Sequence, residues 1–329
     1  MHTDDIARQP IDPDAAAILD NPEMVLPTVT EQTFPVLREA MSAPAGRDLA
    51  KEQADALGLR WEDHTIDGPR GPIELTVIRP AGTVTDAPLY YGIHGGGMIL
   101  GDRFAGFGGY DEFAWVQEHN MVIVTPEYRL APEHPAPAGV EDCYAGLLWA
   151  ASQAREWGVN PERIIVGGGS GGGGLAAGVA LMARDKGEIS LFAQCLIYPM
   201  LDDRNTTVSS RQFTEGYGHI WPRESNEYAW NAILGEEHAE REDINHYAAP
   251  ARATDLTGLP TTYIDVGSAE VFRDEDIKYA LRLLEAGVQT ELHVWRGGFH
   301  GYDTLAPESE VARETTSTRS SWMRRILKG

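Results

Sequence analysis

The segment from Arg163 to Ala183 limits the fold more than any other part of the chain. A short apolar run, Arg163-Ile-Ile-Val166, passes into Gly167-Gly-Gly-Ser170-Gly-Gly-Gly-Gly174 and then into Leu175–Ala183, which is small and apolar throughout. Strand, sharp turn and helix therefore follow one another without a linker. Gly168-Gly169-Ser170-Gly171-Gly172 fits Gly-x-Ser-x-Gly. In that motif a strained turn aims the serine hydroxyl out of the sheet and sets the next N–H at a helix amino terminus. The same glycines, Gly167-x-Gly169-x-x-Gly172, also fit a dinucleotide-binding turn. That turn wants an acidic residue at the end of the next strand, whereas Leu191–Tyr198 continues into Pro-Met. A P-loop is excluded, because no Gly-Lys-Ser/Thr follows. Taken alone, the glycine loop leaves the nucleophile and nucleotide readings both open.

Further strands are read at Pro72–Arg79, Leu89–Ile93, Met121–Thr125, Leu191–Tyr198, Thr261–Val266 and Glu291–Trp295. The first alternates apolar and polar residues, and the middle ones are almost continuously apolar, as strands covered on both faces are. Helical spacing lies between them. Val140, Tyr144, Leu147, Leu148 and Ala151 share one face, and Asp274–Ala286 is expected to bury Ile277, Ala280, Leu281 and Leu284. Such alternation predicts an α/β fold with a mostly parallel sheet flanked by helices, spanning 1–329 as one domain. Two regions break the rhythm. Residues 1–50 are polar, acidic and Pro-punctuated, with helix-compatible stretches at Asp14–Leu19 and Glu31–Met41. Residues 204–248 are polar and rich in Trp and Tyr between two predicted strands, and read as an insertion. Together these two regions are expected to cap the top edge of the sheet.

Leu89–Ile93 leads into His94-Gly95-Gly96-Gly97, 76 residues before Ser170. Acyl transfer builds negative charge on a carbonyl oxygen, and glycines after a strand let backbone N–H groups approach that charge. His94 reads as a hydrogen-bonded strut for the loop. Ten histidines are present, and His300 is the best candidate base. It sits in a Gly-rich loop after the last predicted strand, in the chain order Ser, acid, His. Three acids compete for the third position: Asp265 inside a predicted strand, Glu270 in the turn after it, and Asp274 at the start of the next helix.

These motifs together resemble the hormone-sensitive-lipase-like family of bacterial esterases, over roughly Pro72 to Asp303. The resemblance also rests on His94-Gly-Gly-Gly-Met-Ile-Leu-Gly-Asp102, Tyr128-Arg-Leu-Ala-Pro-Glu-His-Pro135, Tyr198-Pro199 and Gly297-Gly-Phe-His-Gly-Tyr302. It implies an α/β-hydrolase fold with a helical cap. It also implies an oxyanion hole from the N–H groups of Gly95, Gly96 and Gly171, and an acid at Glu270, where the family usually has Asp. The implied activity is a serine carboxylesterase acting on short-chain acyl esters through an acyl-enzyme on Ser170. The alternative is a catalytically inactive ligand-binding protein on the same fold. One departure is the bare elbow: the family normally carries side chains beside the serine, whereas Gly169 and Gly171 have none. A looser turn is expected from that. Met98, Tyr217, His219 and Trp221 are candidate pocket liners.

Composition narrows the partners. A formal charge of −23 disfavours nucleic acid and anionic membranes. No apolar stretch approaches the ~18 residues of a membrane helix. No metal-binding spacing involves the histidines, so neither metal nor organic cofactor is expected. The two cysteines, Cys143 and Cys195, read as small buried hydrophobes. The start, MHTDDIARQP, lacks a basic and then apolar leader pattern, which makes the cytoplasm the expected location. The expected partner is a small-molecule ester, with a homodimer left open.

Overall fold

Every strand read from the sequence is present, and one more precedes them. The computed structural model describes residues 6–21, 24–42, 44–105 and 112–328. Residues 1–5, 22–23 and 43 of the expected amino-terminal cap region lie outside the described residues, as do 106–111 and Gly329. The strands are β1 (Leu59–Gly68), β2 (Gly71–Pro80), β3 (Ala87–Ile93), β4 (Val122–Pro126), β5 (Val159–Gly169), β6 (Ala193–Ile197), β7 (Thr261–Gly267) and β8 (Thr290–Trp295). They form one sheet in the order β1-β2-β4-β3-β5-β6-β7-β8. The β1/β2 and β2/β4 pairs are antiparallel, and all other pairs are parallel.

Helices follow the strands and cover both faces. In chain order they are α1 (Pro13–Ala16), α2 (Phe34–Met41), α3 (Pro44–Ala56), α4 (Glu112–His119), α5 (Ala138–Gln153) and α6 (Gly171–Lys186). Then come α7 (Val208–Gln212), α8 (Arg223–Leu234), α9 (Arg273–Glu285), α10 (Tyr302–Leu305) and α11 (Glu310–Lys328). The central strands carry Val, Ile, Leu and Tyr on both faces, and Leu89, Ile123, Ile165, Leu196 and Ile264 are fully buried. Each such side chain stabilises the fold by roughly 1.5–3 kcal/mol. The two free cysteines are buried in the same core.

Of the four residues expected to be buried on α9, Ala280 is buried and the other three lie on the outer side. Leu281 and Leu284 are 54% and 52% exposed, and Ile277 is exposed as well. The face turned inward carries Glu275, Asp276, Tyr279, Ala280 and Leu283. Polar residues there hid the true stripe from a reading based on hydrophobicity. The early glycines of α6 have a packing cause. A Cβ at Gly172 would lie 2.1 Å from the Ile93 carbonyl oxygen and 2.5 Å from that of His94. Helix start and strand end therefore touch backbone to backbone, which offsets the roughly 1 kcal/mol helix penalty of a glycine.

The amino-terminal region and the 204–248 segment are joined to each other. Val29 N–H donates to Ser225 Oγ at 2.9 Å, Thr28 Oγ1 lies 3.1 Å from Glu215 Oε1, and Arg8 Nε donates to the Gln212 carbonyl at 2.6 Å.

Candidate active site

Parallel register brings five strand ends to one edge. Ile93 on β3 pairs with Gly168 on β5, Gly169 pairs with Ile197 on β6, Ile197 with Asp265 on β7, and Gly267 with Trp295 on β8. The residues just past those ends are His94, Ser170, Tyr198, Glu270 and His300. Open α/β sheets place their sites at this carboxyl edge.

Ser170 stands between β5 and α6 with φ 57° and ψ −124°. A non-glycine residue held there costs of order 1–3 kcal/mol. Three backbone bonds hold it: Ser170 N–H to the Ile197 carbonyl at 2.9 Å, and the Ser170 carbonyl accepting from Gly174 and Met200 at 3.0 and 2.9 Å. His300 Nε2 lies 2.9 Å from Ser170 Oγ, and His300 Nδ1 lies 2.6 Å from Glu270 Oε2. Glu270 Oε1 accepts the Gly267 N–H at 3.0 Å, so both carboxylate oxygens are engaged. Glu270 is 1% exposed, and Ser170 and His300 are each 7% exposed. Burial pushes the Glu270 carboxyl above its ordinary range, and the adjoining His300 offsets only part of this.

The other two acids point elsewhere. Asp265 is fully buried and receives Arg319 Nε at 2.7 Å and Nη2 at 3.1 Å. Asp274 accepts Arg273 Nε at 2.8 Å and the Ser209 N–H at 2.8 Å, which joins α9 to α7. Burial raises Asp274, but these hydrogen bonds outweigh it and leave the carboxyl below its usual range.

The loop after β3 approaches the elbow closely. A Cβ on Gly171 would lie 2.8 Å from Met98 N and 2.9 Å from Gly97 N. Gly171 is thus wedged against the Gly97–Met98 backbone, which accounts for its missing side chain. Gly96 has φ +100°, and a Cβ there would sit 2.1 Å from the Leu100 carbonyl oxygen. Gly171 opens α6, so its N–H has no acceptor within the helix. Among the described residues, the turn and loop hydrogen bonds include none donated by the N–H groups of Gly95 or Gly96. His94 is buried, its ring stacked on Tyr128 at 4.2 Å and its Nδ1 2.9 Å from the Gly95 carbonyl oxygen. Burial lowers its pKa to about 4, so a neutral ring donates Nδ1–H to that carbonyl. Tyr128 O–H donates to the His94 carbonyl at 2.9 Å.

A family model described as the alpha/beta hydrolase fold matches residues 90–304. The chain belongs to the hormone-sensitive-lipase-like α/β-hydrolases. Carboxylesterase NlhH of Mycobacterium tuberculosis is 33% identical over 98% of this chain and 98% of its own. Esterase LipI of the same organism is 32% identical over 86% of this chain and 87% of its own. Among solved structures, a bacterial heroin esterase superposes with a TM-score of 0.84 at 36% identity, covering 97% of this chain and 98% of the other.

In this α/β-hydrolase a cavity of about 180 Å³ opens over Ser170 and His300. Its walls come from Leu26 and Met41 of the amino-terminal region, Ile220 and Trp221 of the 204–248 segment, and Thr304 and Leu305 beyond His300, and are apolar apart from Thr304. Of the four liners expected from sequence, Trp221 lines this cavity. Tyr217 is half-exposed with Arg8 over its ring, and Met98 packs under the elbow with its Cε 3.0 Å from where a Gly174 Cβ would be. His219 is not among the residues lining the cavity. Among the described residues no group of three or more His, Cys, Asp or Glu is placed to hold a metal ion, and no helix is long and apolar enough to cross a membrane.

Proposed function

We propose that this chain hydrolyses short-chain acyl esters with Ser170 as nucleophile, His300 as general base and acid, and Glu270 as the carboxylate behind His300. That it is a carboxylic ester hydrolase follows from its family and from relatives named as esterases that match it over nearly their whole length. The single observation that carries the finer reading is the run Ser170–His300–Glu270, at 2.9 and 2.6 Å.

His300 Nε2 takes the Ser170 proton as Oγ attacks the ester carbonyl. The oxygen that becomes negative is stabilised by the N–H groups of Gly95, Gly96 and Gly171, fixed before reaction by the packed loop and the start of α6. Glu270 holds Nδ1–H toward itself and offsets the imidazolium charge. His300 returns the proton to the leaving alcohol, and water then repeats the sequence on the acyl-enzyme. No step needs a metal or an organic cofactor. The described parts of residues 1–50, with the 204–248 segment, act as the cap, since both contribute walls to the cavity.

The short-chain preference is supported by size. The cavity over Ser170 is small, about 180 Å³, with mainly apolar walls suited to a short acyl group. A nitrophenyl ester series from acetate to palmitate tests it. Turnover should be highest at about eight carbons or fewer, and Trp221→Ala, which removes a wall, should move the optimum to longer chains. Preference for long-chain emulsions with poor hydrolysis of acetate and butyrate would refute it.

A further inference from the structure

A second set of buried charges lies behind His300, and the ester-hydrolysis machinery does not use it directly. Arg319 sits in the middle of α11, in the inward stripe Val311, Ala312, Thr315, Arg319, Trp322 and Met323, and is 1% exposed. Its guanidinium forks between two carboxylates that are also buried. Nε and Nη2 go to Asp265 on β7, and Nη1 goes to Asp303 Oδ2 at 2.6 Å on α10, three residues past His300. The other oxygen of Asp303 accepts the Tyr198 O–H at 3.0 Å. The Tyr198 ring then meets the His300 ring edge to face, with centroids 4.8 Å apart and planes at 67°. Phe272 also meets the imidazole edge to face, at 5.1 Å and 75°.

We infer that Arg319, through Asp303 and Tyr198, is a positioning residue that holds the His300 imidazole in line between Glu270 and Ser170. This rests on His300 being the base. An imidazole fixed only by its two ring hydrogen bonds can still tilt about the line joining them. The Tyr198 ring limits that tilt, and Tyr198 is itself held at both ends. Its N–H donates to the Asp265 carbonyl at 2.7 Å, and its hydroxyl is bound by Asp303. Arg319 ties both aspartates to one group, so the strand end that carries Tyr198 and the loop that carries His300 share one anchor. Burying two carboxylates around one guanidinium is costly unless every polar atom is used. Here Tyr263 O–H also donates to Asp265 at 3.0 Å, completing that carboxylate. A purely apolar contact between α11 and the sheet would hold the helix without this arrangement. A side chain far from the chemistry acts in this way because a misplacement of about 1 Å can cost about 100-fold in rate.

The test is a double-mutant cycle on the full chain with p-nitrophenyl butyrate, measuring kcat, KM and Tm for Tyr198→Phe, Asp303→Asn, the pair, and Arg319→Lys. Tyr198→Phe keeps the ring against His300 and in the cavity wall, and deletes only the tether. Each single change should lower kcat by about ten- to a hundredfold, with KM within about twofold, and Tyr198→Phe should keep its Tm. The pair should be no slower than the slower single, because both cut the same tether. Arg319→Lys, which keeps the charge but loses the fork, should lose less kcat than Arg319→Met, measured beside it in the same way. Wild-type kcat in Tyr198→Phe, or losses that multiply in the pair, overturns the inference. His300→Asn separates the two readings: if it is inactive while Tyr198→Phe is normal, only the positioning role fails, and if it stays active the base assignment itself fails.

Discussion

Replacing Glu270 by Gln removes one charge and keeps nearly the same shape. The carboxylate lies 2.6 Å from His300 Nδ1 and is 1% exposed, so water screens the pair poorly. Centres of an imidazolium and a carboxylate joined in this way are about 4 Å apart, and an effective dielectric of about 20 gives an attraction of about 4 kcal/mol. That attraction exists only while His300 carries the proton, so its loss falls on the barrier. At about 1.4 kcal/mol per decade, kcat should drop by about 10³. Loss of tautomer control adds to this, and removal of the acid in a comparable triad cost about 10⁴. Stability should move the other way. Burial raises the Glu270 carboxyl above 4.5, and a group with a raised folded-state pKa gives stability present below the unfolded value and lost as pH rises through the folded one. Gln has no such loss, so its Tm relative to wild type should rise from acid toward neutral pH. Asp274→Asn should do the reverse. It weakens the bonds to Arg273 and Ser209 that join α9 to α7, which lowers Tm by about 2 °C for about 1 kcal/mol while kcat stays within a few fold. Steady-state kinetics with p-nitrophenyl butyrate and thermal melts of both variants decide it. Near-wild-type kcat in Glu270→Gln, or collapse of kcat in Asp274→Asn, refutes the reasoning.

Gly96→Ala should lower kcat by about 10²–10³ with little change in KM, because its Cβ would push the loop off the Leu100 carbonyl and misdirect an oxyanion donor. Wild-type kcat in a folded Gly96→Ala protein would remove that loop from the oxyanion hole. Asp203, fully buried, takes Arg252 at 2.7 and 2.8 Å and His238 Nδ1 at 3.0 Å. Burial raises its carboxyl, but these partners outweigh burial and hold it below 3.8. The stability it contributes is present above pH 3.8 and lost as pH falls through the depressed value. Asp203→Asn should therefore cost about 3–5 kcal/mol at neutral pH. The Tm gap from wild type should close below pH 3.8, and a gap that is constant with pH would contradict this.

The sheet was readable because central parallel strands are buried on both faces, which makes Leu89–Ile93 apolar throughout and Tyr263–Val266 largely so, with buried Asp265 as the exception. Leu59–Gly68 gives no strand pattern because it is an edge strand whose residues are all partly exposed, with Trp61, His64 and Ile66 mixed among acids. On α9 apolar character does not mark the buried face, because Glu275 and Asp276 are buried while Ile277 and Leu281 are exposed. Ser170, His94 and His300 stood out through their glycine surroundings. Among three nearby acids, distance to His300 singles out Glu270, and distance is not a property of spacing along the chain. Arg319 gave no signal at all. Its partners are 54 and 16 residues away, and an arginine in the polar stretch Thr315–Arg325 reads as surface. The cavity walls Leu26, Met41 and Ile220 come from three separate stretches of chain, and no spacing in the sequence brings them together over Ser170.

The central claim is that Ser170 carries the acyl group. Rapid quenching of the enzyme with p-nitrophenyl butyrate, followed by intact-mass and peptide mass spectrometry, measures it directly. A single butyryl adduct on the Ser170 peptide, absent in Ser170→Ala and accumulating in variants slowed at deacylation, is the expected result. An adduct on another residue, or full turnover by Ser170→Ala, would contradict it.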